Sequence, residues 1–473
     1  MAGTLTQLEW GKLRVHFVAV GGIGMSALAR IAMAKGAQVS GCDSADSPTL
    51  AELRAHGCTC HVGHSPAHLK DVDMVVYSSA VPLDSPELKT AIASRLNVVS
   101  RGRMLALLQH GHQTVAVSGT HGKTTTTWII ANMLIRCGLD PSVAVGGIVP
   151  DLGGNWRVGA GRFFVTEADE SDSSFLFLVP RYPVITNIDA DHLDHYGGIE
   201  QIKQAFVEFA ETAAPGAVIA CVDCPNVREI LPKVAGRKIT CGVGQGDIAA
   251  HNVRLEPHRA VCDVTAPGGR IKDLVFSMPG MHNVRNSLAA LALAVELGLP
   301  MEAVREAFAH TCRVGRRLEQ RGTERGVSVY DDYAHHPAEI QAMLEAARAL
   351  TPGRLIGIFQ PHRYTRTLHL HREFGACFGK LDLLLLAPIY AASEDPIKGV
   401  SSGLIAKQID EHKNVKCELL QDLSQVPDRL AGELAPGDTV ITIGAGDVWK
   451  AGDAVLARLR RTEIASVADA AGM

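Results

Sequence analysis

The chain has 473 residues, 47% hydrophobic and 20% charged, with a formal net charge of −4, which indicates a packed globular protein of about three domains. Its charges are interspersed without a basic tail, its N-terminus lacks an export signal, and no apolar run approaches the roughly 18 residues of a membrane helix. We therefore expect a cytoplasmic protein without nucleic-acid or membrane partners, whose 11 cysteines are reduced thiols.

Strand-like apolar runs alternate with helix-like segments along the chain. The runs are Val15–Val20, Asp73–Tyr77, Thr114–Ser118, Phe163–Thr166, Pro183–Asn187, Arg354–Gln360 and Thr439–Gly444. Because most are continuously apolar, they predict strands buried on both faces, in α/β domains with largely parallel sheets. A smaller β-rich piece is expected at Asp247–Met278, where short runs alternate with Pro/Gly turns.

Two polar breaks divide the chain. One lies near Gln109–Gln113, before a new strand, and the other lies near Gly315–Gly326, a charged segment before another strand. These breaks predict domains at residues 1–110, 111–318 and 319–473.

A glycine-rich turn follows the first strand. Gly21-Gly22-Ile23-Gly24-Met25-Ser26 leads into a helix, where glycines and free N–H groups can hold a diphosphate. Asp43, 19 residues after Gly24, stands where a Rossmann fold places its ribose-binding acid. Because position 19 is alanine, the turn is not a strict G-x-G-x-x-G. A nucleotide diphosphate site, a dinucleotide oxidoreductase and a turn with glycines for packing alone therefore stay open.

A second glycine-containing loop, Gly119-Thr120-His121-Gly122-Lys123-Thr124-Thr125, lies between another strand and helix. Its Gly-Lys-Thr ending is typical of a P-loop, although the loop is shorter than the standard motif. In such a loop, N–H groups hold phosphates, the lysine reaches the β- and γ-phosphates, and the hydroxyl after it ligates Mg²⁺. The sequence therefore predicts an ATP site at the start of the second domain.

Acidic segments follow two later strands, at Glu167–Asp172 and Asp189–Asp194. Acids at the carboxyl ends of parallel strands lie beside the phosphate crevice, and Mg²⁺ prefers oxygen ligands. His192 could add a ligand or contact the γ-phosphate. Only a few of these residues can reach one metal ion, so the others are expected to be solvated.

The chain resembles the Mur ligase family of ATP-dependent amide ligases. The segments that carry the resemblance cover nearly the whole chain in the family's order: GGIGMSALA, SGCDS, SSAVP, SGTHGKTTTT, TEADESDSSFL, TNIDADHLDHYG, GMHNVRNSLAALA, VGRRLE, DDYAHHPAEI, FQPHRYTRT and GAGD. The resemblance implies a three-domain α/β fold. An N-terminal Rossmann-like domain binds the UDP substrate, a central P-loop-type domain binds ATP, and a C-terminal Rossmann-like domain closes over the site and helps to bind the amino acid.

The resemblance also implies a reaction. It is the ATP-dependent ligation of L-alanine to the carboxylate of UDP-N-acetylmuramate through an acyl phosphate, with Mg²⁺, in peptidoglycan precursor synthesis. The segments GGIGMS and DDYAHHPAEI favour a ligase that attaches L-alanine over the sister ligases, which attach a whole peptide. An NAD-dependent oxidoreductase would leave the phosphate loop unexplained. A non-enzymatic nucleotide switch would leave the histidines and arginines of the third domain unexplained. The oligomeric state stays open.

Matched by position, the resemblance assigns residues to the substrates. The residues expected to bind the UDP substrate are Gly21, Gly22, Ile23, Gly24, Met25, Ser26, Asp43, Ser78 and Ser79. Those expected to bind ATP are Gly119, Thr120, His121, Gly122, Lys123, Thr124, Thr125, Asn283, Asn286, Arg317 and Asp332. Those expected to bind the amino acid are His335, His336, Arg363 and Arg366.

The resemblance further assigns catalytic roles to Lys123, Glu167, His192, Asn283, Asn286 and Arg317, and metal binding to Thr124, Glu167 and His192. The alignment of motifs, rather than a physical argument, favours Glu167 over Glu170 as metal ligand. The chain departs from the family at Ala19 and Ala334, where glycine is usual, and at Leu318, where phenylalanine is frequent. None of these changes removes a charged or metal-binding group.

A group of potential zinc ligands, Cys58, Cys60, His61, His64 and His68, lies within a short stretch of the first domain. Their residue types suit zinc, but their spacing matches no regular two-pair zinc pattern. We therefore do not predict a metal site from this segment.

Overall fold

The computed structural model describes residues 8–78, 80–191, 193–213, 216–392, 394–430 and 432–471. The described chain divides into two compact units. The first contains the chain up to Val253, Val261–Phe276 and Asn283–Cys312, and the second contains Arg254–Ala260, Ser277–His282 and the residues from Arg313 onward. None of the helices in these ranges combines the length and apolar composition that a bilayer crossing requires.

The first sheet lies at the N-terminal end of the first unit. Its strands are β1 (Arg14–Val18), β2 (Gln38–Asp43), β3 (Thr59–Val62), β4 (Met74–Tyr77) and β5 (Asn97–Ser100). Its helices are α1 (Ile23–Ala34), α2 (Pro48–Ala55), α3 (Pro86–Ala93) and α4 (Arg101–Leu108). The strand order is β3-β2-β1-β4-β5, with every pairing parallel. The order reverses between β1 and β4, the position at which open α/β sheets bind ligands.

A second, larger sheet follows in the same unit. Its strands are β6 (Gln113–Ser118), β7 (Ser142–Val149), β8 (Gly154–Arg157), β9 (Phe163–Glu167), β10 (Tyr182–Ile185), β11 (Val218–Cys221), β12 (Lys238–Val243), β13 (Ile248–Leu255), β14 (Ala260–Ala266) and β15 (Gly269–Phe276). The associated helices are α5 (Lys123–Arg136), α6 (Leu193–Tyr196), α7 (Ile199–Glu211), α8 (Pro225–Ile230), α9 (Met281–Glu296) and α10 (Met301–Ala309). Strand β6 lies between β10 and β9 and is parallel to both, so their carboxyl ends meet at one edge.

The second unit is built on a third sheet. Its strands are β16 (Glu319–Glu324), β17 (Val327–Asp332), β18 (Leu355–Phe359), β19 (Leu383–Leu386), β20 (Lys416–Leu419) and β21 (Thr439–Ile443). Its helices are α11 (Pro337–Leu350), α12 (Tyr364–Cys377), α13 (Gly403–His412), α14 (Val426–Leu430) and α15 (Trp449–Ala471). The strand order is β16-β17-β21-β18-β19-β20, and within this sheet only the β16–β17 pairing is antiparallel among the described strands.

The architecture confirms the predicted α/β fold with parallel strands, because the apolar runs form strands whose side chains are buried by helices. The β-rich piece at Asp247–Met278 forms β13 to β15. The charged segment Gly315–Gly326 contains the edge strand β16. This strand is highly charged because it pairs with the sheet on one side only, and a charged edge strand discourages further pairing.

Candidate active site

The phosphate loop between β6 and α5 has a backbone that requires its two glycines. Gly119 has a φ of +137° and Gly122 a φ of +83°, where L side chains are strained. A Cβ atom on Gly119 would lie 2.1 Å from Thr186 Oγ1, and one on Gly122 would lie 2.7 Å from Asn286 Oδ1. The glycines therefore let the loop pack directly on its neighbours while α5 begins at Lys123.

Residues at the end of β10 hold this loop in place. The backbone N–H of His121 donates to Asn187 Oδ1 at 2.8 Å, while Asn187 Nδ2 and Thr186 Oγ1 both donate to the carbonyl oxygen of His121. The backbone N–H of Asp189 donates to Thr120 Oγ1 at 2.8 Å. Sequence reasoning missed Thr186 and Asn187. The available signal was their position directly after a strand adjacent to β6.

Lys123 brings its ammonium group to the same loop. Its Nζ donates to the carbonyl oxygens of Gly119 at 2.7 Å and Thr120 at 3.3 Å, and it forms an ion pair with Glu170 Oε1 at 2.8 Å. Burial lowers the pKa of Lys123, but the charges of Glu170 and Asp169 outweigh it, so the net shift is upward. Lys123 is therefore a firmly protonated cation at the phosphate loop.

Thr124 and Glu167 bring a hydroxyl and a carboxylate into contact next to Lys123. Thr124 Oγ1 donates to Glu167 Oε2 at 3.1 Å, and the backbone N–H of Gly146 donates to Glu167 Oε1. A hydroxyl and a carboxylate oxygen in contact are suitable ligands for a hard cation such as Mg²⁺. Glu170, only 2% exposed, pairs with Lys123 instead. His192 lies outside the described residues.

An ion pair links the first and second sheets within the first unit. Arg101 Nη2, at the start of α4, lies 2.8 Å from Asp169 Oδ2. Burial raises the pKa of Asp169, but the positive charges of Arg101 and Lys123 outweigh it and lower the pKa overall. In addition, Asn155 Nδ2 donates to the carbonyl oxygen of Ile23 at 2.7 Å. These contacts, which sequence reasoning missed, connect the glycine-rich turn to the phosphate-loop region.

The glycine-rich turn after β1 is held by Asp43. The backbone N–H of Gly21 donates to Asp43 Oδ2 at 2.9 Å, and a Cβ atom on Gly21 would lie 2.8 Å from the same oxygen. Ala19, at the position where the family usually has glycine, has a φ of +64°. The carboxylate of Asp43 therefore shapes the turn directly, at the sheet position where the strand order reverses.

The other residues predicted for this turn differ in what they expose. Ile23 is exposed, whereas Met25 and Ser26 are buried, and Ser26 Oγ donates to the carbonyl oxygen of Ile23 at 3.0 Å. The side chains of Met25 and Ser26 are therefore buried in the protein interior, whereas that of Ile23 is exposed. Ser78 directly follows β4, next to β1, and its Oγ accepts from the N–H of Ala80. Ser79 lies outside the described residues.

The N-terminal part of α9 carries the two predicted asparagines and brings Asn286 to the phosphate loop. Asn286 Nδ2 donates to Asn283 Oδ1 at 3.5 Å, and Asn286 Oδ1 is the atom that a side chain on Gly122 would meet. Because the two asparagines are three residues apart on a helix, both amides face the same side. The structure thus places Asn286 beside Gly122 of the phosphate loop.

In the second unit, Asp332 ends β17 and is buried. Its carboxylate accepts from the backbone N–H of Leu318 at 2.6 Å and of Ala334 at 2.8 Å. Burial raises the pKa of Asp332 to about 6, against the opposing effect of the Arg317 charge. Arg317 lies over the ring of Tyr333, 5.6 Å from its centroid. Asp332 therefore holds in place the backbone at Leu318, next to Arg317, and at Ala334.

The predicted amino-acid residues follow β17 and β18 of the same unit. Arg363 has a φ of +72°, a strained value for a side-chain-bearing residue, and its backbone N–H donates to the carbonyl oxygen of Tyr390 at 2.9 Å. Arg366 Nη1 lies 3.3 Å from His362 Nδ1, and the His335 and His362 rings are 5.8 Å apart. These residues form one group of cationic and imidazole side chains.

Two histidines of this region have features that the sequence did not predict, namely the capping contact of His336 and the position of His362. His336 is buried. Its Nδ1 accepts a hydrogen bond from the backbone N–H of Ala338, so the imidazole caps the N-terminus of α11. His362 was not assigned from the sequence, although it lies within the FQPHRYTRT segment. Burial lowers its pKa to about 3, assisted by the charges of His335 and nearby arginines, so it is a neutral imidazole at physiological pH.

Comparisons with known protein families match three consecutive segments of the chain. Residues 14–113 match the Mur ligase family, catalytic domain; residues 117–294 match the Mur ligase middle domain; and residues 316–446 match the Mur ligase, glutamate ligase domain.

Similar proteins cover almost the whole chain. The UDP-N-acetylmuramate–L-alanine ligase of Trichlorobacter lovleyi is 45% identical over 94% of this chain and 99% of its own, and that of Geobacter sulfurreducens is 44% identical over 95% and 98%. The crystal structure of UDP-N-acetylmuramate–alanine ligase from Thermotoga maritima has 27% identity and a TM-score of 0.81, covering 95% of this chain and 100% of that chain. This chain belongs to the Mur ligase family.

Proposed function

We propose that the protein is an ATP-dependent ligase that joins the amino group of L-alanine to the carboxylate of UDP-N-acetylmuramate, in peptidoglycan precursor synthesis. The observation that carries the proposal is the phosphate loop, in which Lys123 and the Thr124–Glu167 pair lie together at the edge of the second sheet. The near full-length relatives named for this reaction support it. Because ATP and UDP-sugars are metabolites of the cell interior, we place the reaction in the cytoplasm.

The proposed reaction has two steps. A carboxylate oxygen of UDP-N-acetylmuramate attacks the γ-phosphorus of ATP, the bond to the β-phosphate oxygen breaks, and ADP leaves. The amine of L-alanine then attacks the acyl carbon, phosphate leaves with the bond electrons, and the nitrogen loses a proton. Activation is needed because a free carboxylate has no adequate leaving group. The protein contributes mainly positioning and compensation of charge.

Residues of the first unit have distinct parts in this scheme. The Lys123 ammonium compensates negative charge on the β- and γ-phosphates, and backbone N–H groups in the first turn of α5 hold their oxygens. Thr124 and Glu167, with His192, would hold Mg²⁺, since the described pair offers hard oxygen ligands. When bound, Mg²⁺ neutralises phosphate charge. Asn286, with Asn283 beside it, orients the nucleotide from α9.

The assignment is tested by the substrates that ATP cleavage requires. We expect ADP and phosphate to form rapidly only when UDP-N-acetylmuramate and L-alanine are both present, with one amide formed per ATP. Replacing L-alanine with the free peptide tests the sister-ligase alternative. Faster turnover with the peptide would show that the chain has the sister-ligase activity instead. Equal ATP cleavage without either substrate would contradict the proposal.

The phosphoryl-transfer route predicts the fate of a labelled oxygen. Lys123 at the loop indicates cleavage at the γ end of ATP, because a P-loop lysine reaches the β- and γ-phosphates. With oxygen-18 in the muramate carboxylate, released phosphate should carry one labelled oxygen and the amide should retain the other. Mass spectrometry of both products measures this. Labelled AMP together with unlabelled pyrophosphate would indicate adenylation instead and would refute the route.

The glycine-rich turn is proposed to bind the UDP diphosphate and not NAD. In Gly21→Ala, the added Cβ would lie 2.8 Å from Asp43 Oδ2 and distort the turn. We expect weaker binding of UDP-N-acetylmuramate and unchanged binding of ATP, measured by calorimetric titration of the full chain. Gly11→Ala is a matched control, since a Cβ there meets no atom within 4 Å. Tight NAD binding by the unmodified protein, without binding of the UDP ligand, would reverse the assignment.

Arg363 is proposed to bind the carboxylate of L-alanine, because its guanidinium can pair with a carboxylate through two hydrogen bonds. We expect Arg363→Ala to raise the KM for L-alanine about 10- to 100-fold, the loss typical of a charged hydrogen bond, with the KM for ATP unchanged. Exposed Arg372, on the same helix, is the control. His336→Ala should instead reduce stability, because His336 caps α11. An unchanged alanine KM in Arg363→Ala would contradict the placement.

A further inference from the structure

A second group of chemically reactive side chains is buried in the first sheet and has no role in the proposed ligation. It consists of His16 on β1, Cys42 on β2, His68 after β3, and Glu87 on α3. One ligand atom from each residue lies within 4.8 Å of those of all the others. His16, Cys42 and Glu87 are each 0% exposed, so the group is closed to bulk water on most sides.

The distances among these atoms are near those of a tetrahedral zinc site. Zinc bonds of 2.0–2.3 Å to nitrogen, oxygen and sulfur place the ligand atoms about 3.5 Å apart. Here Glu87 Oε1 lies 2.7 Å from His68 Nδ1 and 3.8 Å from His16 Nε2, while Glu87 Oε2 lies 3.1 Å from Cys42 Sγ. To accommodate an ion, the contact between Glu87 and His68 would have to open by about 0.8 Å through side-chain movement.

His16 provides an independent sign of a missing partner. Its Nδ1 lies 2.8 Å from Ser40 Oγ, while its buried Nε2 has no hydrogen-bond partner among the described residues. A proton on Nδ1 that is donated to Ser40 leaves a lone pair on Nε2, which points toward Glu87. Buried polar atoms are almost always satisfied, so an orphaned imidazole nitrogen requires an explanation, and a metal ion is one.

Surrounding groups contact the candidate ligands, as do the residues that hydrogen-bond to ligands in known metal sites without binding the metal. His64 Nδ1 lies 2.9 Å from Glu87 Oε2, and the backbone N–H of Ser65 donates to Glu87 Oε1 at 3.1 Å. The ring of His61 stacks on that of His68 with centroids 4.0 Å apart and planes at 7°. Such contacts fix the orientation of ligating side chains and tune their basicity.

The charge of the group also favours a cation. Glu87 is a fully buried carboxylate, and the described side chains that approach it are histidines and the Cys42 thiol, with no lysine or arginine among them. A buried carboxylate is costly unless positive charge compensates it. A divalent ion would provide that charge for both the carboxylate and a Cys42 thiolate at once.

We propose that His16, Cys42, His68 and Glu87 bind one Zn²⁺ ion, which stabilises the first sheet. Thiolate and imidazole ligands favour zinc over Mg²⁺, and four protein ligands make a closed, structural site rather than a catalytic one. The ion would join β1, β2, the segment after β3, and α3. Since Cys42 precedes Asp43, it would also fix the strand end that shapes the glycine-rich turn.

Metal content and cobalt substitution of the full-length protein test this proposal. We expect about one zinc ion per chain to remain after dialysis, as for a structural site with four protein ligands. Removal by a strong chelator should lower Tm by several degrees, and added zinc should restore it. With cobalt(II) in place of zinc, a thiolate-to-cobalt charge-transfer band should appear, which the oxygen-lined phosphate-loop region cannot produce.

Two substitutions assign the band to this group. Cys42→Ser should abolish it, whereas Cys60→Ser, at a half-buried thiol in the same sheet and outside the group, should retain it. If Cys42→Ser does not fold, His16→Gln serves in its place, with a shifted or lost band expected. The proposal is overturned if the unmodified protein holds no zinc and its Tm is insensitive to it, or if the cobalt band survives Cys42→Ser. Ligase turnover is a separate readout, so failure of the proposed function would not affect this result.

Discussion

Replacing Lys123 with alanine is expected to lower kcat about 10³-fold, the loss found when a positioned electrostatic group is removed from a transition state. Its Nζ lies at the phosphate loop, in contact with the Gly119 and Thr120 carbonyl oxygens and with Glu170. Without this cation, negative charge on the transferring phosphoryl group would be poorly compensated. Steady-state kinetics of amide formation, at saturating substrates, measures the effect.

The matched control is Lys203→Ala. Lys203 is also buried and also pairs with two glutamates, Glu200 at 2.9 Å and Glu229 at 2.8 Å, but it lies on α7 and not at the loop. We expect its removal to affect stability and leave kcat unchanged. Equal losses of turnover in the two variants would show that Lys123 acts through folding alone, and the catalytic assignment would then be wrong.

Lys123→Ala should also destabilise the fold, because it leaves the buried carboxylate of Glu170 without its ion-pair partner. Breaking one side of a buried pair costs about 3 kcal/mol of unfolding free energy. The double variant Lys123→Ala/Glu170→Gln should recover most of that stability while turnover stays low. Denaturant unfolding of both variants separates the structural role of the pair from the catalytic role of the cation.

Glu167→Gln is expected to raise the Mg²⁺ concentration needed for half-maximal turnover about 10- to 100-fold or more, because losing even an outer partner of a metal has that effect. Its carboxylate meets Thr124 Oγ1 at 3.1 Å, which creates the oxygen-rich position proposed for the ion. The amide is nearly the same size, so packing is retained while the charge is removed. A Mg²⁺ titration of the ligation rate at fixed ATP measures the change.

Glu170→Gln is the matched comparison, since it makes the same chemical change three residues away. We expect it to alter kcat through Lys123, its ion-pair partner, and to leave the Mg²⁺ requirement nearly unchanged. The reverse pattern, with the larger Mg²⁺ effect in Glu170→Gln, would assign the metal to Glu170. The pair of variants therefore decides between the two glutamates, a choice that the sequence left to motif alignment.

The sequence by itself determined the fold class and, through its resemblance to the Mur ligases, led to the reaction that we propose. Continuously apolar runs specify strands buried on both faces, and short glycine-rich links at their ends specify sharp turns into helices. Those local rules located the phosphate loop, with Lys123 and Thr124 where α5 begins. They did not identify the strand β16 within Gly315–Gly326, because charge in an edge strand has the same composition as charge in a loop. The domain boundaries drawn at 110 and 318 stay predictions.

Only the tertiary structure decided which side chains meet. Glu167 and Glu170 are equally acidic in the sequence, but the end of β9 directs one to Thr124 and the other to Lys123. The ion pair of Arg101 with Asp169 likewise joins residues 68 positions apart.

The group proposed to bind zinc gives the clearest contrast. Its ligands come from β1, β2, the segment after β3, and α3. For this reason no short cysteine–histidine motif in the sequence identifies the group. The short stretch that did contain such residues supplies His68 to the group and His64 beside it, while Cys58 and Cys60 are not part of it. Spacing along the chain determines which face of an element a residue occupies. Which faces come together depends on strand order and helix packing, through long-range contacts that local sequence does not contain.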